Sequence, residues 1–402
     1  MNRSQRSRRK KKTKTNGDRS ERKTRGDKSE RRKAKKKDVS ERRKKKVSSS
    51  ATPSSTASGS TGNSTGSTGN TAESTGNTAE SNGNTAGQTS IIATEPCNTE
   101  KKEKEKEQWS GEETAKKMIS NGLFDSSAIV SAYKDLSIDK PPATSCTVFT
   151  SNLPKIRAPD FPIPDEKLIK LSHAPENFIC AAKVTVPEFS RTMILTQTPD
   201  VSEKQNIEDF WRMIFQEEIQ SVVIAIMPLE CSVTLQQLFP LLNGTFSNHG
   251  KMFLNNKKVE SSVGMTSYSL EILPDGCSNS LLTTVYHIHN WRQKRGLDNV
   301  GELVSTIEKV VKTNENTVFM SMNGIGRAGT MLSLFTSMIH IRKGIEVNTK
   351  EIVQKLRSER CGIVDSAEQF GTIHRAMAFW FKNKSQDEEI QKKVNEFAPC
   401  VQ

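Results

Sequence analysis

Apolar residues take up regular rhythms only after the first quarter of the chain. From Trp109 to Leu136 they recur at helical spacing in two pieces, Trp109, Ala115, Met118, Ile119 and then Leu123, Phe124, Ile129, Val130, Tyr133, Leu136. Asn121-Gly122 parts the two pieces, and Pro141-Pro142 ends the second. Short apolar runs at Asn177–Val184, Ile194–Thr198, Ser221–Met227, Leu281–His289 and Thr317–Met320 are strand-sized. Lys251–Leu273 alternates as a hairpin does, with Asn255-Asn256 placed at its turn. Helical spacing returns at Ile207–Ile214, Asp298–Val311, Thr349–Arg357 and Phe370–Phe381. A long apolar segment also runs from Ala328 through Met331, Leu332, Leu334, Phe335, Met338 and Ile339. Phe210, Trp211 and Met213 share one helix and read as core. His287 and His289 share a strand face and read as core or sheet-edge histidines, since a metal needs further ligands.

Composition divides the chain. Hydrophobic residues make up only 33% of 402, low for a chain that is globular throughout. Residues 1–46 hold 24 Lys/Arg against 6 Asp/Glu, so the other 356 residues hold 36 against 40. The whole basic excess therefore sits in one disordered tail. Its clusters fit a solvated arm, an import signal, or nonspecific contact with nucleic acid or an anionic surface. No aromatic residue is interleaved, so base stacking is not supported. Residues 47–106 form a Ser/Thr/Gly/Asn-rich linker that repeats STGNTAE at Ser67–Glu73 and Ser74–Glu80 and then varies it at Ser81–Gly87. A domain is expected over 107–385 and a C-terminal tail over 386–402. Seven dispersed cysteines without a CxxC suggest reduced thiols and an intracellular protein, cytoplasmic or nuclear. No apolar run is long enough for a membrane span, and no cofactor or metal set is legible.

The densest chemistry lies at Thr317–Thr330, TVFMSMNGIGRAGT. An apolar strand runs into Gly324-Ile325-Gly326, then Arg327, then a helix. Such a loop directs successive backbone N–H groups and a helix amino end at one point, where a tetrahedral anion is stabilised. Arg327 adds a fork that suits phosphate.

The order Gly324-x-x-Arg327-x-Gly329-Thr330 resembles the phosphate loop of the tyrosine-specific protein phosphatases, His-Cys-x-x-Gly-x-x-Arg-Ser/Thr-Gly. Other segments resemble that family in the same order, from about Glu107 to Lys384. Lys155, Arg157, Asp160, Asp165 and Leu171 fall on its phosphotyrosine-recognition loop. Asn177–Val184 resembles its Asp-Tyr-Ile-Asn-Ala strand, Trp291–Gly296 its mobile Trp-Pro-Asp loop with one residue inserted, and Cys361–Phe370 its Gln loop. The resemblance implies an α/β fold, a twisted mixed β-sheet flanked by helices. It implies that Ser321, Met322, Asn323, Gly324, Ile325, Gly326 and Arg327 cradle phosphate, that Glu230 orients Arg327, and that Asp160 holds a peptide backbone.

The departures fall on the chemistry. The nucleophile position is Ser321, with Met320 before it and Ala328 after Arg327. The general-acid position is Gln293, the water-positioning position is Asp365, and the aromatic platform is Ala158. A positive cradle that ionises a thiol does not ionise a hydroxyl at neutral pH, and Gln has no titrating proton to give. The expectation is therefore a pseudophosphatase that binds tyrosine-phosphorylated proteins or peptides as a scaffold. A low-activity phosphatase using Ser321 or a water, and a pure interaction domain with a vacant loop, are the alternatives.

Overall fold

The computed structural model describes residues 109–172, 178–228, 230 and 234–397. The basic tail and the repeat-bearing linker lie outside them. Among the described residues nine strands form one mixed sheet: β1 (Leu168–Lys170), β2 (Phe178–Val184), β3 (Met193–Gln197), β4 (Ser221–Ala225), β5 (Phe246–His249), β6 (Met252–Ser262), β7 (Met265–Pro274), β8 (Leu281–Ile288) and β9 (Thr317–Ser321). The helices are α1 (Glu112–Ser120), α2 (Ser126–Lys134), α3 (Thr147–Ser151), α4 (Lys204–Gln216), α5 (Gly301–Thr313), α6 (Gly326–Arg342), α7 (Thr349–Glu359), α8 (Ala367–Lys384) and α9 (Glu388–Phe397).

The strand order is β1-β2-β3-β9-β4-β8-β7-β6-β5. Strands β3, β9, β4 and β8 run parallel, and antiparallel strands flank them on both sides. Parallel strands covered on both faces must be apolar on both, which is why β3, β4 and β9 are unbroken buried runs. Alternate residues enter opposite layers. Phe319, Val223 and Ala225 join the core with α5, α6 and α8, whereas Val318, Met320, Val222 and Ile224 join the core with α4. Trp211 on α4 is fully buried, and its indole N–H donates to Leu238 O at 2.6 Å. Helix α6 passes through the interior and buries nearly every side, and its buried hydroxyls at Thr330, Ser333, Thr336 and Ser337 each donate to the carbonyl four residues back.

Two expectations are corrected. The hairpin does not turn at Asn255-Asn256, because β6 runs on through both residues to Ser262. Asn256 is buried and donates to Pro240 O at 2.9 Å, and a register shift between Asn256 and Lys258 absorbs the polar pair. The turn falls at Val263-Gly264, where Gly264 takes φ +92°. Residues 388–397, within the expected C-terminal tail, form a helix. Ile390, Val394 and Phe397 of α9 are buried, and Phe397 stacks on Phe124 with ring centroids 4.9 Å apart. Spacing of i, i+4, i+7 gives α9 one apolar face, and that face is covered.

His287 is buried on β8, with Nε2 2.8 Å from Ile226 O, and no metal-holding cluster occurs among the described residues.

Candidate functional site

Four parallel strands end at one edge of the sheet, so the loops that follow them converge there. Ser321 ends β9, Gln197 ends β3, Glu230 follows β4, and Trp291 follows β8. The phosphate-loop segment leaves Ser321 and turns back on β3. Thr198 N donates to Ser321 O at 3.1 Å, and Gly324 N to the same oxygen at 3.2 Å. Gly324 has φ +69°, and a Cβ there would lie 2.6 Å from Gln197 N. Both the dihedral and the close approach require glycine. No side chain caps the amino end of α6, so its first N–H groups keep their capacity for an anion.

Arg327 is 1% exposed. Its Nη2 donates to Glu230 Oε1 at 2.6 Å, and its Nη1 to Glu230 Oε2 at 2.7 Å and Trp291 O at 2.6 Å. Met227 N donates to Glu230 Oε2 at 3.0 Å. The fork is thus fixed by a carboxylate on one loop and a carbonyl on another. A guanidinium carries about five N–H donors, and these contacts take three.

A narrow recess with only about 10 Å³ of free space is lined by Gln293, Ser321, Met322, Asn323, Gly326, Arg327, Asp365 and Gln369. The structure therefore brings Ser321, Gln293 and Asp365 together around Arg327. Asp365 presses on the phosphate loop, since a Cβ on Gly326 would lie 2.4 Å from Asp365 Oδ1 and 2.9 Å from Gln369 Nε2. Both of those atoms are buried without a hydrogen-bond partner. Burial raises the Asp365 pKa, against the pull of the Lys294 and Arg327 charges. The preceding Val364 has φ +55°, a strained conformation for a β-branched residue. Arg357 holds it there, donating to Ile363 O and Val364 O at 3.0 Å each.

The loop carrying Gln293 is anchored at both ends. Trp291 is fully buried and donates through Nε1 to Arg295 O at 2.8 Å. Glu368 accepts from Arg295 Nη1 at 2.7 Å and from Gly296 N at 3.0 Å. Thr372 Oγ1 accepts from Leu297 N at 3.1 Å. Sequence reasoning missed Glu368, Thr372 and Arg357, whose partners are loop backbone or charges set by the fold.

The recognition-loop residues are more scattered. Arg157 donates to Thr198 O at 2.9 Å and ties the loop to the end of β3. Ala158 is buried. Asp165 accepts from Thr147 N and Val148 N at 3.0 Å each, so it caps α3. Asp160 is exposed and lies outside the recess lining. The described cysteines, Cys146, Cys180, Cys277 and Cys361, also lie outside it.

This is a narrow polar recess at the carboxyl edge of the parallel strands, with Arg327 and Asp365 both in its lining. The family model described as protein-tyrosine phosphatase matches residues 152–379. A Caenorhabditis elegans protein classed with the tyrosine-protein phosphatases is 65% identical over 294 residues, 73% of this chain and 73% of that protein. Tyrosine-protein phosphatase non-receptor type 2 from Rattus norvegicus is 25% identical over 260 residues, 62% of this chain and 61% of its own length. The Homo sapiens protein of the same name gives the same identity and coverage. The match thus spans a little under two thirds of the rat and human proteins. The chain belongs to the protein-tyrosine phosphatase family.

Proposed function

We propose that this domain binds tyrosine-phosphorylated proteins or peptides without hydrolysing them, as a scaffold or a sequestering module. The observation that carries the reading is the pairing of a serine nucleophile position with a fully positioned Arg327. Ser321 and Arg327 line one recess, and Glu230 holds the guanidinium from behind. The remaining guanidinium N–H groups and the backbone of Ser321–Arg327 supply the phosphate contacts. Gln293 has no proton to release to a leaving group, and the described part of the recess offers no thiol. Ala158 supplies no ring to stack on the phosphotyrosine, a loss of about 0.5–1.5 kcal/mol beyond area burial. Asp160 is the residue we assign to the peptide backbone.

A second reading, slow hydrolysis through Ser321 or a water, draws on Asp365, a carboxyl group that lines the recess. The deciding experiment is phosphate release from phosphotyrosine peptides by the full chain over hours. The proposal expects none above the buffer rate. Release that disappears in Arg327→Lys would replace it with the hydrolytic reading.

On this reading residues 1–46 and 47–106 tether the domain 107–385 extended by α9, and the protein works inside the cell. Contact of the basic residues with nucleic acid or an anionic surface is an electrostatic accessory that weakens with salt.

A further inference from the structure

The segment that covers the phosphate recess carries a charge that the fold leaves uncommitted. Gln293 is the exposed residue of the recess lining, and its neighbour Lys294 is exposed as well. Arg295 is engaged with Glu368 at 2.7 Å, whereas the Lys294 ammonium has neither an ion pair nor a hydrogen bond among the described residues. The Lys294 backbone lies at φ +59°, a conformation that costs energy in a residue with a Cβ.

Asp365 shows where that charge acts. Burial apart, Lys294 exerts the strongest pull on the Asp365 carboxyl, ahead of Arg327. The other cations nearby have partners. Arg357 donates to Ser137 O at 2.9 Å and to Ile363 O and Val364 O at 3.0 Å each. Arg327 is paired with Glu230, whose carboxylate offsets its charge. Without Lys294, the charges of Arg327, Glu230 and Asp365 leave no positive surplus at the recess. A phosphate monoester brings a charge of about −1.5 to −2 at neutral pH. Lys294 is the cation within reach that can offset its second charge, and a lysine binds phosphate as a point charge.

The free space in the recess is about 10 Å³, room for about one water. A phosphoryl group therefore enters only as the lining gives way, and the exposed Gln293 is the wall that solvent reaches. Lys294, next in the chain, moves with it. We propose, resting on the phosphotyrosine-binding reading, that Lys294 leaves Asp365 for the incoming phosphoryl group and so selects a doubly charged ester over a singly charged one.

The test is calorimetric titration of the full chain at neutral pH with one tyrosine peptide in phosphorylated, sulfated and unmodified forms, since a sulfate ester keeps a single charge. The wild type is expected to bind the phosphorylated form about tenfold more tightly than the sulfated form. Lys294→Asn removes the charge, while asparagine tolerates the left-handed backbone. It is expected to erase that preference without shifting the urea transition. Lys294→Arg is expected to keep it. A preference that survives Lys294→Asn would overturn the role of Lys294. So would a wild type without the preference whose phosphopeptide binding still falls in Arg327→Lys, and either result would leave the phosphotyrosine-binding reading standing. Equal affinity for all three peptide forms would overturn both.

Discussion

Arg327 and Glu230 meet through two parallel hydrogen bonds of 2.6 and 2.7 Å, although 97 residues separate them in the chain. The side chains are 1% and 10% exposed, so the pair is almost wholly withdrawn from water. Removing one partner of a buried pair strands the other charge. Glu230→Ala is therefore expected to lower stability by about 3–5 kcal/mol in urea unfolding. A loss under about 1 kcal/mol would mean that water reaches the pair and screens it.

Asp365 sets a pH dependence at the same recess. Its carboxyl is held above the ordinary range, chiefly by burial. A carboxyl raised on folding favours the protonated folded state. Its contribution to stability is full below the unfolded carboxylate pKa and is lost as pH rises through the higher folded value. Asp365→Asn removes that loss, and its stability advantage over the wild type should open with rising pH across that window. Phosphopeptide affinity should follow, because ionised Asp365 repels a dianion. A ratio of variant to wild-type affinity that stays flat from pH 4 to 8 would show that the carboxylate does not face the ligand.

On the proposed reading, hydrolytic chemistry can be introduced in steps. A cysteine at 321 would sit beside Arg327 and the uncapped amino end of α6, both of which favour a thiolate. Ser321→Cys is expected to give slow phosphate release from a phosphotyrosine peptide. Adding Gln293→Asp should raise the rate about 10²-fold by supplying a general acid. A double variant as silent as the wild type would mean that Asp365 or the anchored loop excludes the substrate.

The covered face of α9 should matter to the whole domain. Phe397 is 5% exposed and stacks on Phe124. Phe397→Ala is expected to cost about 3 kcal/mol in urea unfolding. An unchanged transition would make α9 an appendage.

The central strand, glycine loop and α6 were legible because each rests on local rules. An apolar run makes a buried parallel strand, and Gly324 occupies a backbone geometry that only glycine fills without strain. The hairpin turn was misplaced because adjacent asparagines imitate a turn signal. Burial of Asn256 against Pro240 O is a tertiary fact that no local pattern carries. Helix α9 hid behind its charged residues, although Ile390, Val394 and Phe397 already carried the helical spacing. The convergence of Gln293, Ser321 and Asp365 on Arg327 was expected from the family resemblance and not from the residues alone. The anchoring of the Gln293 loop by Glu368 was not legible at all, since its partners are the Arg295 side chain 73 residues away and the backbone N–H of Gly296 72 residues away.

The most direct measurement is calorimetric titration of the full chain with phosphotyrosine peptides, beside the same peptides unphosphorylated and beside Arg327→Lys. Lysine keeps the charge but loses the fork, and its urea transition reports whether the fold survives. The account predicts binding that requires the phosphate and falls at least tenfold in a folded Arg327→Lys variant. Equal affinity for both peptide forms, or binding indifferent to Arg327→Lys, would contradict it.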